Sequence, residues 1–154
     1  MKKIFKGLLF GSCTFSLNEF TPATENSIGT HDDALALVKV AVTFHHVNGL
    51  QATLREANHA DNQFSLKDLQ VIAVDTDGTI LAHGEPSRVG KNLLKCQDAK
   101  EIFINPEFIR LANRNASKGF VHYRSLNRFT KVPQLMCAYL EKHEDVYWVC
   151  GYRL

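Results

Sequence analysis

The sequence has no apolar run long enough to cross a bilayer. Its apolar start, Ile4 to Leu17, is broken by Lys6 and falls short of the roughly 20 residues a membrane helix needs. It also has little net charge. The 18 Lys and Arg are offset by 16 Asp and Glu to leave +2, and the two signs are interspersed, so nothing demands nucleic acid or an anionic surface as partner. There is no internal repeat and no low-complexity tract. Zinc sites usually announce themselves by short ligand spacings, and the chain has no Cys-x-x-Cys, His-x-x-x-His or His-Glu-x-x-His. It has no Gly-x-Ser-x-Gly, and Cys96 has no recognisable catalytic partner. These absences lead us to expect no metal, no cofactor and no catalytic residue.

What is present fits one ordinary globular domain. With 45% apolar and 22% charged residues over 154 positions, the chain can bury a real core. Met1-Lys2-Lys3 followed by the apolar segment reads as a signal-like segment over 1–17. Leu9-Phe10-Gly11-Ser12-Cys13 offers a second reading, a lipoprotein box with Cys13 as the anchored residue; a third is an amphipathic segment that is retained. Residues 18–29 are polar with one Pro and read as a linker, and the domain proper runs over 30–154.

Thr30-His31-Asp32-Asp33 has the form of a capping box with Asp in place of Glu. Leu37, Val38, Ala41, Val42, Phe44 and His45 follow at helical spacing up to Asn48-Gly49, and a short helix near Leu50 to Ala57 comes next. Leu69 to Val74 and Thr79 to Ala82 read as strands around a Thr76-Asp77-Gly78 turn. Asn105-Pro106 opens a helix that Lys118-Gly119 stops. Three strands follow: Phe120 to Ser125, Gln134 to Leu140 and Val146 to Tyr152. The order helix, hairpin, helix, three strands predicts an α+β domain, an N-terminal helix packed on a mostly antiparallel five-stranded sheet.

"VIAVDTDGTIL", Val71 to Leu81, carries two readings. As a haloacid-dehalogenase-type phosphatase loop, Asp75 is the nucleophile and Asp77 the general acid. As a hairpin, both are turn residues. A returning strand straight after Gly78 leaves no room for the crossover helix that parallel strands require, and no late acidic pair is placed to hold magnesium.

"DLQVIAVDTDGTILAHG", "VGKNL", "VHYR" and a "YL…YWVCG" ending, in that order, resemble the single Cache domain, a PAS-like extracytoplasmic sensor domain of bacterial receptors. The resemblance runs from about Asp33 to Gly151. It implies a non-enzymatic domain that binds a small metabolite, such as an organic acid or amine, and a periplasmic or secreted location. The implied partner is a membrane receptor or kinase, because the sequence stops just past the last strand with no signalling output of its own. An interaction module with a degenerated pocket is the alternative.

The resemblance nominates ligand-binding residues. Tyr123 matches the motif tyrosine, Arg124 follows it, and His83 ends the second strand. Gln70 stands where the family often has Tyr, and Met136 where it often has a charge-balancing Lys. Side chains alternate along a strand, so Arg124 should face away from Tyr123. His45 and His46, adjacent on a helix, should point about 100° apart. With a tight turn at His143-Glu144, Leu140 would face Tyr147 and Cys137 would face Cys150 at close to disulfide reach.

Overall fold

The computed structural model describes residues 28–93, 110–111, 114, 116–127 and 130–154. The signal-like segment over 1–17, nearly all of the 18–29 linker, Cys13, Cys96 and most of the helix expected from Asn105-Pro106 lie outside the described residues. Lys118-Gly119, expected to stop that helix, are instead the first residues of a strand.

Thr30 starts α1, His31–Asn48. Its hydroxyl accepts from the Asp33 amide at 3.2 Å while Asp33 Oδ2 accepts from the Thr30 amide at 3.0 Å, so two otherwise orphaned donors are satisfied. Gly49, at φ 83, ends α1 and leads into α2, Leu50–Ala57. A residue with a Cβ would be strained there. Beyond α2, Asn62 is buried with its amide fully engaged: it donates to the Ala57 and His59 carbonyls and accepts from the Phe64 amide. That turn delivers Phe64 to the core.

The strands are β1 (Ser65–Leu66), β2 (Leu69–Asp75), β3 (Ile80–Ala82), β4 (Lys118–Leu126), β5 (Pro133–His143) and β6 (Val146–Arg153). All pairings are antiparallel, in the order β1-β2-β6-β5-β4, with β3 also on β2. Among the described residues the sheet thus has six strands rather than five. The additional one, β1, is two residues long and too short to show a period. It folds back onto Leu69 and Gln70 through Lys67, which takes φ 60.

Asp75 lies at the end of β2, and its Oδ1 accepts from the amides of Asp77 and Thr79, both at 2.9 Å. Gly78, at φ 90, completes the turn and β3 returns antiparallel. The phosphatase alternative is thereby corrected: the carboxylate is committed to the turn and the strand sits in no parallel sheet.

The sheet is apolar on both faces. On one, Ala34, Leu37, Val38, Ala41 and His45 of α1 pack against Val71, Ala73, Trp148, Cys150 and Tyr152. On the other, Val74, Ile80, Val121, Ala138, Leu140, Tyr147 and Val149 cluster with Ile72, Leu93, Leu111 and Tyr123.

The β5–β6 hairpin corrects the cysteine pairing. Its turn is Glu144-Asp145, with Glu144 at φ 55, so His143 faces Val146, Cys137 faces Tyr152 and Tyr139 faces Cys150. Cys137 and Cys150 are then diagonal neighbours, about 7–8 Å apart by the usual sheet spacing. That exceeds the roughly 4.4–6.8 Å a disulfide spans. Both thiols are free and buried, and burial pushes the Cys150 thiol up to about 12, away from the reactive thiolate. Non-reducing peptide mapping is expected to find both unbridged; a Cys137–Cys150 cross-linked peptide would refute this register.

Candidate functional site

Tyr123 sits in β4 directly across from Met136 of β5, which faces Arg153 of β6. Alternation turns Tyr123 toward the face away from α1, into the second apolar cluster. There its hydroxyl reaches the backbone of Gly151: a Cβ on Gly151 would collide with the phenol oxygen. Burial pushes the phenol up to about 12, so it is a neutral donor throughout the physiological range.

Gln70 lies on the same sheet face in β2, one step beyond the Val71–Cys150 pair. Its amide lies against Gly84, where a Cβ would overlap the side-chain nitrogen. Two glycines thus make room for two neutral polar side chains. Gly84 reads in the sequence only as a loop residue. Gly151, a lone glycine inside a strand pattern, does carry a readable signal of close approach.

His83 joins this arrangement through its neighbour Gly84. Its amide donates to Asn58 Oδ1 at 3.0 Å, and its ring Nδ1 accepts from the Glu85 amide at 2.9 Å. The histidine therefore ties the loop after β3 to the end of α2. The Glu85 bond holds Nδ1 as an acceptor, which leaves the ring proton on Nε2. The loop continues through the Pro86–Arg88 turn, and the Val-Gly-Lys-Asn-Leu segment returns to the sheet: Ile80 donates to the Lys91 carbonyl and Gly90 to that of Ile80.

Arg124 does not join. It is exposed, paired in register with Leu135, and alternation turns it away from Tyr123. Gln70 thus meets the His83 loop at Gly84, and Tyr123 meets Gly151 on the same sheet face. Met136 places a thioether where the family resemblance calls for a cation. The nearby guanidinium of Arg153 is paired with Asp68 at 2.8 Å. His45 and His46 diverge as their spacing requires, the first buried and the second exposed.

The single Cache domain 2 family model matches residues 48–153. The chain belongs to the single Cache domain 2 family. Its fold agrees with solved Cache structures. A Cache chemosensory domain described for carboxylic acid recognition superposes with a TM-score of 0.57 at 15% identity, covering 82% of this chain and 99% of that one. A periplasmic sensor domain of a chemotaxis protein gives 0.54 at 17% identity, covering 80% and 89%. Among curated proteins none matches in sequence. At these identities the structural likeness establishes an α+β Cache fold. Among the described residues no helix is long and apolar enough to cross a membrane.

Proposed function

We propose that this Cache domain is an exported sensor-type module that binds a small polar metabolite, such as an organic acid or amine, against the sheet face opposite α1. The observation that carries this reading is Tyr123, a half-buried neutral phenol whose hydroxyl is seated against strand Gly151 on the sheet face opposite α1, with the Gln70 amide on that same face against the Gly84 loop. Met136 in place of a lysine favours recognition by hydrogen bonds over a full ion pair. The same substitution is what favours the second reading, an interaction module whose pocket no longer binds metabolites. On the first reading, occupancy is passed to a membrane receptor or kinase from a periplasmic or secreted position. Cleavage within the signal-like segment and lipidation at Cys13 are two routes to that position.

A thermal-shift screen with small organic acids, amines and amino acids tests this, followed by calorimetry on variants. Tyr123→Phe is expected to weaken the best hit roughly threefold to a hundredfold, the range set by hydrogen bonds to neutral and charged partners. It should leave the melting temperature without ligand little changed. His83→Ala should weaken binding by loosening the loop, and Arg124→Ala should not. Equal affinity for wild type and Tyr123→Phe would place the ligand elsewhere; a screen without any hit would favour the interaction module.

A further inference from the structure

The end of α1 meets the β5–β6 hairpin at a cluster of ring nitrogens. Trp148 Nε1 donates to His45 Nδ1 at 3.1 Å, in the interior. His45 is 2% exposed. Its Nε2 and that of His143 are both buried without a hydrogen-bond partner. The two imidazole rings are 4.5 Å apart between centroids, and His46 stacks edge-on to His143 at 5.7 Å. Glu144, on the exposed turn, places Oε1 3.5 Å from His45 Nε2 and Oε2 3.9 Å from His143 Nε2.

The ligand atoms of His45, His143 and Glu144 lie within 4.8 Å of one another, a spacing that invites a metal ion. The Trp148 bond argues against it. An indole N–H only donates, so His45 Nδ1 must be the bare nitrogen and the ring proton must sit on Nε2. A metal on Nε2 would need that proton on Nδ1, pointing at another donor. Histidine ligands normally give their second N–H to an acceptor. The same logic applies to a proton. The imidazolium carries hydrogens on both nitrogens, so protonated His45 cannot accept from Trp148.

We propose that the His45–Trp148 hydrogen bond is a proton-operated latch, closed while His45 is neutral and opened by acid, which frees the C-terminal end of α1 from the β5–β6 hairpin. The groups facing His45 set its range. Burial lowers its pKa from the ordinary value of 6.5, the neighbouring His143 lowers it further, His46 adds a smaller effect of the same sign, and Glu144 opposes them. A folded-state pKa below the unfolded one means that the unfolded chain binds more protons between the two. The latch's contribution to stability is therefore complete above pH 6.5 and is lost as pH falls through the folded-state value. This proposal is independent of ligand binding on the other face.

Trp148 is the only tryptophan, so its indole N–H gives one resonance in a nitrogen-labelled sample. In a titration from about pH 8 downward, the indole signal and the His45 ring signal should move together, with a midpoint below 6.5, while far-ultraviolet circular dichroism stays constant. His143→Gln removes a repulsion and should raise the midpoint. Glu144→Gln removes an attraction and should lower it. Glu144 lies on the exposed turn, and His143 is the last residue of β5 and partly exposed. An indole signal that ignores His45, shifts only with global unfolding, or titrates identically in both variants would overturn the latch. So would stoichiometric Zn2+ moving the indole signal at neutral pH, because the cluster's ligand would then be a metal rather than a proton.

Discussion

Trp148→Ala is expected to cost about 3–5 kcal/mol, the range for deleting a fully buried aromatic. That is a large share of the roughly 5–15 kcal/mol that holds a domain together. Trp148 is fully buried, and β6, which carries it, is bonded on both sides, to β2 and to β5. Its ring packs 6.3 Å from Phe64 and 5.7 Å from His45, centroid to centroid, so its loss opens a cavity between α1, the turn after α2 and the sheet. Trp148→Phe keeps much of the volume and removes the indole donor. It should still cost about 1–3 kcal/mol, because the buried His45 Nδ1 loses its partner. Urea denaturation followed by circular dichroism measures both. A cost below about 1 kcal/mol for the alanine variant would contradict the packing described here.

Gly151→Ala should destabilise the protein and abolish ligand binding on the proposed face. The added methyl collides with the Tyr123 hydroxyl, and the phenol must swing out of a packed cluster. Overpacking of this kind costs about 1–3 kcal/mol. The partner substitution supplies the control. Tyr123→Phe removes the oxygen in question, so the double variant should be more stable than Gly151→Ala alone. A double-mutant cycle reads this as a coupling of about 0.5 kcal/mol or more, in the compensating direction. Strict additivity would mean that the two residues do not touch.

Much of the architecture can be read from residues whose local chemistry admits one outcome. Thr30 with Asp33 places the start of α1, Asn48-Gly49 its end, and Asp75 to Gly78 the first hairpin, each within a residue or two of the structure. Two of the failures share a cause. The turns at Lys67-Asp68 and Glu144-Asp145 each put a charged residue at positive φ, where glycine or asparagine is the usual sign. Without that sign β1 goes unseen, and the β5–β6 register is taken around His143-Glu144, one residue short at the turn. Cysteines that face each other in that register become diagonal neighbours in the true one.

The site was legible in part. The opposite facing of Tyr123 and Arg124 follows from strand alternation. Gly151 carries its signal as a lone glycine within a strand, whereas the close approach at Gly84 depends on which strand lies beside it, which no local pattern states. His45 reads as one of the apolar-face positions of α1, and its bond to Trp148 joins residues 103 positions apart.

The strand β6 alternates without interruption. Val146, Trp148, Cys150 and Tyr152 belong to the α1 side, and Tyr147, Val149 and Gly151 to the other. The α1-packed face and the proposed ligand face thus share one strand, in a ply a single backbone thick. A saturation scan along it should read as a two-beat rhythm: at Trp148, Cys150 and Tyr152 abundance falls through lost packing against α1, and at Gly151 abundance and ligand response fall together. Because neighbouring peptide units serve opposite sides, neither side can drift in evolution without the other feeling it.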